Sequence, residues 1–284
     1  MKDKVKVVLE LTRPRNSVMS FFGVIVGMLL ISNIITLNTE VLLAALTAML
    51  ILGGGNALND YFDFNIDKVN RPNRPIPSGR ISRRSVKYIS AILFLAGIVL
   101  AFFVNVYCLA LAAVNSVILI AYAKYSKKAL LLSNLAISYL TASIFIYGAL
   151  SIYNTGHFNP DQIGILAVLI ASSFLMTLSR EIIKDIEDME GDLKMSANTL
   201  PIKIGSSKSK QIAITSGLIS VAVSFIPTLN SMGDFNTCSY VLFIIPATLI
   251  FISSYFKTVS KNQKLIALGM IVSLIAFLAG RVTV

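Results

Sequence analysis

Apolar stretches long enough to cross a bilayer, for which a helix needs roughly 17 to 25 residues, recur along this chain. They fall at 17–36, 41–58, 86–103, 106–123, 129–150, 162–179, 211–228, 239–256 and 265–280. The pattern predicts an all-α membrane protein, a bundle of about nine transmembrane helices, with the third and fourth joined in a tight hairpin. Prolines cluster outside the stretches, at 13–15, 72–77, Pro160 and Pro201, where helices start, end or are absent. Pro227 and Pro246 lie inside or at the end of apolar runs, where neighbouring helices satisfy the freed carbonyls. The first run begins near Ser17 and is followed by no small-residue cleavage site, so it is expected to be a retained helix.

Composition supports this. Of the 284 residues 55% are hydrophobic and 14% charged, and the mean hydropathy is +0.76, a balance foreign to water-soluble chains of this size. The net charge of +11 therefore points to a membrane surface rather than to nucleic acid, since no basic stripe interleaves with aromatics on a soluble domain. Cys108 and Cys238 form no CxxC pair, so neither a disulfide framework nor a zinc site is implied.

Basic residues set the orientation, because loops rich in lysine and arginine stay on the cytoplasmic side. Of the 25, all but Arg281 lie in the N-terminal tail, the 59–87 and 124–128 loops, the 180–210 segment and the 257–264 loop. The connections near 37–40, 104–105, 151–161 and 229–238 contain none. The N-terminus and the basic loops are thus expected in the cytoplasm and the C-terminus outside. The second and sixth spans each run into an aspartate-rich segment, and Asp60 and Asp185 stand 125 positions apart. Two pseudo-repeated four-helix halves in parallel, closed by a ninth helix, would place both segments on one side.

The first acidic segment holds Asn56, Asn59, Asp60, Asp63 and Asp67; the second holds Glu181, Asp185, Asp188 and Asp192. Spacings of three and four put each set on one helical face. Crowded carboxylates at the rim of a bundle persist when a cation neutralises them. An all-oxygen donor set selects hard ions, and Mg2+, which joins one or two carboxylates to substrate phosphates, suits it best. Asp60, Asp63, Asp67, Asp185, Asp188 and Asp192 are the predicted catalytic and metal-binding residues. Arg71, Arg74, Arg80, Lys124 and Lys184 would donate to the remaining phosphate oxygens. Acid, base and lipid exposure together predict a site for the diphosphate of a lipid-soluble alcohol, whose allylic carbon–oxygen bond ionises as its leaving group is stabilised. A hydroxyl would then attack. One acidic run alone is more often a solvated loop; two periodic ones on the same side outweigh that reading. Arg15, Arg83, Arg84, Lys87, Lys127 and Lys128 are explained by topology and anionic lipid. His157 reads as a surface residue, and Gly53, Gly54 and Gly55 as small residues permitting close helix approach.

The string NDYFDFNIDKVNRPNRPIPSGRIS, with Asn59, Asp60, Asp63 and Asp67, and the string REIIKDIEDMEGD, with Asp185, Asp188 and Asp192, resemble the paired motifs of the UbiA superfamily of intramembrane prenyltransferases. The likeness extends over nearly the whole chain, which would then be one transmembrane domain, 1–284, with cytoplasmic cap loops at about 59–87 and 180–210. Within that superfamily the strings look most like the archaeal digeranylgeranylglyceryl phosphate synthases. The resemblance implies a geranylgeranyl diphosphate donor and a geranylgeranylglyceryl phosphate acceptor, joined by an ether bond with Mg2+ as cofactor. It also implies substrate binding by Asn56, Asn59, Arg71, Arg74, Lys124 and Lys184, and contact of Arg13 with the acceptor's phosphate. Where members with aromatic acceptors carry an aromatic before the second motif, this chain has Arg180 to Ile183, and Arg180 suits a phosphate. No protein partner and no nucleic acid is implied. The alternatives are prenylation of an aromatic or quinone precursor and, in a different class, a cation-coupled transporter. Carboxylates at span ends rather than mid-span disfavour the transporter. A CDP-alcohol phosphotransferase is excluded by the absence of a DGxxAR string.

Overall fold

The computed structural model describes residues 2–32, 38–125, 130–154, 159–194, 197–229 and 232–281; Lys127, Lys128 and His157 lie outside them. All regular structure among the described residues is helical: α1 (Lys2–Thr12), α2 (Pro14–Ile31), α3 (Thr39–Phe62), α4 (Phe64–Asn70), α5 (Arg83–Val104), α6 (Val106–Tyr125), α7 (Leu132–Ser151), α8 (Pro160–Lys194), α9 (Leu200–Ile204), α10 (Ser206–Ser224), α11 (Ile226–Leu229), α12 (Thr237–Ser254) and α13 (Val259–Arg281). Nine helical segments among the described residues are long and apolar enough to span a membrane: α2, α3, α5, α6, α7, α8, α10 with α11, α12 and α13. Each coincides with one of the nine apolar stretches. Pro246 is accommodated within α12, whereas Pro227 follows a break at Phe225 and opens the short α11.

The chain forms two compact units. One comprises residues 1–25, 36–126 and 150–155, the other residues 26–35, 127–149 and 156–284. In the first, α3 packs most extensively against α5 and then α6. The contact depends on small residues: a Cβ added at Gly97 would stand 2.6 Å from Ile51 Cγ1, so the two backbones approach only because that position is glycine. Ser90 Oγ of α5 donates to the Gly54 carbonyl of α3 at 2.8 Å. In the second unit α8 packs against α10 by the same device. Ser216 Oγ and Ser220 Oγ of α10 donate to the Leu175 and Ser172 carbonyls of α8, both at 2.8 Å. The internal echo in the sequence is thus an echo in construction, in which an acid-bearing helix is held to the next span by hydroxyl-to-carbonyl bonds.

Beside its acidic segment each unit carries a small apolar cluster that joins span ends to the short helices and loops next to them. Val7 and Leu11 of α1, Ala57, Ile76 and Val86 form the first; Ile182, Ile183, Leu200 and Ala213 form the second. The N-terminal tail is therefore, over Lys2–Thr12, a helix. Its alternating charged and apolar residues bury Val7 and Leu11 against α3 and α5 and leave Val5 and Leu9 exposed. A charge map sees the lysines here and passes over this short amphipathic face.

Candidate active site

At the end of α3, Asp60 is 5% exposed and, seven residues on, Asp67 is 4% exposed. Both are met by arginine. Arg74 Nη1 stands 3.1 Å from Asp60 Oδ1 and 2.7 Å from Asp67 Oδ2, and Arg13 Nη2 stands 2.9 Å from the same Asp60 oxygen. Two carboxylates thus converge on one cationic nitrogen, with a second cation beside them. The stripe is not one continuous helix face, as its spacing alone suggests. Asp63 closes α3 and opens α4, carrying the hydrogen-bond ladder across from Asn59 O and on to Asp67 N. Its side chain accepts from Asn59 Nδ2 at 2.8 Å. Asp60 and Asp67 therefore form one buried pair, and Asp63 sits apart from it with Asn59.

The segment RPNRPIPSGR folds so as to aim Arg74. Ile76 is buried in the first apolar cluster, and the Ser78 hydroxyl donates to the Arg74 carbonyl at 2.7 Å. Gly79 turns the chain at φ +73°, a conformation that glycine adopts without strain. Arg80, expected to serve a phosphate, serves the scaffold instead. Its guanidinium forks onto Glu10 of α1 at 2.7 and 2.9 Å and reaches the Asn73 carbonyl at 2.5 Å. The hydrogen bond to Glu10 also raises its pKa above the ordinary arginine value.

Arg13 reaches Asp60 from a left-handed backbone, φ +50°, which is sparsely populated for a residue with a side chain. The Pro14 that follows disfavours the right-handed region. The Thr12 carbonyl just before it accepts from Ser17 Oγ at 2.8 Å and from Asn56 Nδ2 at 3.2 Å. Asn56 thus holds the α1–α2 joint. Backbone conformations of this kind persist where surrounding contacts over-determine them, as at binding sites. Arg71 and Lys124 are exposed; Arg71 forms no ion pair among the described residues, and Lys124 lies 5.0 Å from the centre of the Tyr125 ring.

The second acidic segment belongs to the 35-residue α8. At about 1.5 Å per residue this helix exceeds the roughly 30 Å of a hydrocarbon core by several turns, and the extra turns carry Arg180 to Lys194. Ile182, Ile183 and Ile186 line their apolar side. Glu181, 7% exposed, is paired with Arg180 at 3.1 Å and Lys184 at 3.2 Å. Asp185 Oδ2 accepts from Asn134 Nδ2 at 2.8 Å. Asp188 is half-buried and Asp192 buried. Asn134, 3% exposed near the start of α7, was not singled out in the sequence. A lone asparagine in an apolar run carries no periodic signal, although a buried amide in a span needs a partner.

Among the described residues no three or more His, Cys, Asp or Glu side chains are gathered as a ready-made metal cage. A magnesium ion that arrives with a diphosphate requires only one or two carboxylates. Asp60 and Asp67, which already meet at a single positive nitrogen, fit that requirement, and their donors are all oxygen.

Spanning helices with buried carboxylates and arginines at a span end define a multi-pass membrane protein with a charged site suited to a metal-bound anion. Comparison with known proteins gives the family: its model, the UbiA prenyltransferase family, matches residues 20–279, and the chain belongs to it. The chain is similar to the digeranylgeranylglyceryl phosphate synthases of Methanosarcina mazei, 39% identical over 99% of this chain and 100% of that one, and of Methanothrix thermoacetophila, 42% identical over 96% and 98%. Among solved structures, one described by its work on digeranylgeranylglyceryl phosphate synthase in membranes superposes with a TM-score of 0.80 at 34% identity, covering 99% of both chains. A UbiA homologue from Archaeoglobus fulgidus bound to GPP and Mg2+ shares the fold, with a TM-score of 0.67 at 16% identity, covering 95% of this chain and 99% of that one.

Proposed function

We propose that this prenyltransferase moves a geranylgeranyl group from geranylgeranyl diphosphate to the free hydroxyl of geranylgeranylglyceryl phosphate, forming the second ether bond of an archaeal lipid core. The observation that carries the reading is the convergence of Asp60 and Asp67 on Arg74, with Arg13 alongside. Such an arrangement exchanges partners readily. Asp60 and Asp67 would hold the metal of a Mg2+-diphosphate and Arg74 its phosphate oxygens, while Arg13 would be released toward the acceptor's phosphate, so that no buried charge would be left unpaired.

Asp60, Asp63 and Asp67 would hold Mg2+ at the first segment and Asp185, Asp188 and Asp192 at the second; the ion supplies Lewis-acid neutralisation of the leaving diphosphate. Asn59 and Asn134 orient Asp63 and Asp185. Arg74, with Arg71 and Lys124, binds the negative charge that grows on the diphosphate as the allylic carbon–oxygen bond breaks, and this lowers the barrier most where charge develops. The acceptor oxygen forms the new bond to carbon, and its proton passes to a carboxylate or to the released diphosphate. Arg13 in one unit and Arg180 in the other each suit an acceptor that carries a phosphate, and Lys184 would add a cation at the second acidic segment. The near full-length similarity to synthases of this type supports the choice of acceptor. The whole chain would act as one domain, with its N-terminus and both acidic segments in the cytoplasm and its C-terminus outside.

Purified protein with Mg2+ is expected to release diphosphate from geranylgeranyl diphosphate only when a prenylglyceryl phosphate is supplied. Turnover with a hydroxybenzoate and none with the glyceryl phosphate would overturn the acceptor.

A further inference from the structure

Arg83, Arg84 and Lys87, at the start of α5, take no part in the site above. With Tyr61 and Tyr88 they line a cavity of about 300 Å³ that no acidic side chain enters. Arg83 is fixed in place: its guanidinium lies 4.3 Å from the Tyr61 ring centre and 5.6 Å from that of Phe64, and its Nε donates to the Tyr61 carbonyl at 3.0 Å. Arg84 lies 5.8 Å from the Tyr88 ring centre. None of the three forms an ion pair among the described residues. Three cations within little more than one helical turn repel one another, so an anion in this cavity would be stabilised by all three.

The same helix continues into the membrane with an unpartnered apolar stripe. Tyr88, Ile92, Leu95, Val99 and Phe102, spaced by four, three, four and three, are exposed by 55%, 64%, 65%, 47% and 67%. A charged cavity at the head of an exposed apolar stripe matches the two ends of one molecule.

We propose that this cavity and stripe form a binding site for a membrane lipid with an anionic phosphate head, separate from the transfer site. The phosphate accepts from Arg83, Arg84 and Lys87, and the chains lie along Ile92, Leu95 and Val99. Three positive charges favour a dianionic phosphomonoester over a phosphodiester, and either over a zwitterionic head.

The test uses the full chain in phosphatidylcholine bilayers with spin-labelled phosphatidic acid, phosphatidylglycerol or phosphatidylcholine, reading the motionally restricted fraction. The wild type is expected to restrict phosphatidic acid most and phosphatidylcholine least. The double variant R84Q/K87Q should lose the preference for phosphatidic acid over phosphatidylcholine by about thirtyfold, from about 1 kcal/mol for each of the two basic residues, with prenyl transfer in detergent unchanged. The charge-keeping variant R84K/K87R should retain the preference. Because Lys87 makes no hydrogen bond among the described residues, K87Q alone is expected to keep the fold and to lose part of the preference. Equal restriction of the three lipids by the wild type, or an unchanged preference in K87Q and R84Q/K87Q, would overturn the proposal. Displacement of labelled lipid by millimolar inorganic phosphate would overturn the lipid assignment in favour of a free-phosphate site.

Discussion

Asp60 and Asp63 are three residues apart, yet their surroundings predict different behaviour on substitution. Asp60 is buried against two arginines, so D60A leaves Arg13 and Arg74 short of a counter-charge. It should abolish transfer and lower stability by about 1 to 3 kcal/mol, a buried-pair value discounted because both arginines are partly exposed. Asp63 and Asp188 are half-buried, and Asp188 forms no ion pair among the described residues. D63A and D188A should abolish transfer with thermal unfolding in detergent close to wild type. Activity near wild type in either would remove that carboxylate from the mechanism. Asn134 acts through Asp185, so N134A is expected to lower turnover about tenfold and raise the Mg2+ concentration for half-maximal rate, the effect of losing a ligand's orienting partner. An unmoved magnesium dependence would make Asn134 merely structural.

The elements that aim these residues can be probed at their joints. Gly97 lets α5 lie against α3, so G97L should separate the helices and cost about 1 to 3 kcal/mol, read as a lower unfolding temperature. L11A removes a fully buried side chain of α1 and should cost about 2 to 4 kcal/mol. E10A breaks a half-exposed pair with Arg80 and should leave the unfolding temperature close to wild type. A larger loss in E10A than in L11A would show that charge, not burial, docks α1. Much of this scale was legible in the sequence. The nine spans were readable because a membrane demands long apolar runs, and the α8 extension because its acids and isoleucines keep helical spacing. The break at Asp63 was not, since the spacing of Asn59, Asp63 and Asp67 continues unchanged through it. The diversion of Arg80 to Glu10 was not either, because the pairing joins residues 70 positions apart.

For the whole molecule, the distribution of lysine and arginine predicts which face is cytoplasmic, and the two native cysteines report on it directly. Cys238 is exposed at the start of α12 and Cys108 is buried. A membrane-impermeant maleimide added to intact cells should modify Cys238 and spare Cys108; modification of Cys238 only after the cytoplasmic face is opened would invert the topology. Both acidic segments are expected on the opposite face from Cys238, each on a helix tied to the next span by serine-to-carbonyl bonds. The most direct test of the account is the mass of the product formed when the purified protein, Mg2+ and geranylgeranyl diphosphate meet equal amounts of geranylgeranylglyceryl phosphate and a hydroxybenzoate. The predicted result is the diether phosphate, with the aromatic acceptor unchanged; a prenylated benzoate with the glyceryl phosphate intact would contradict it.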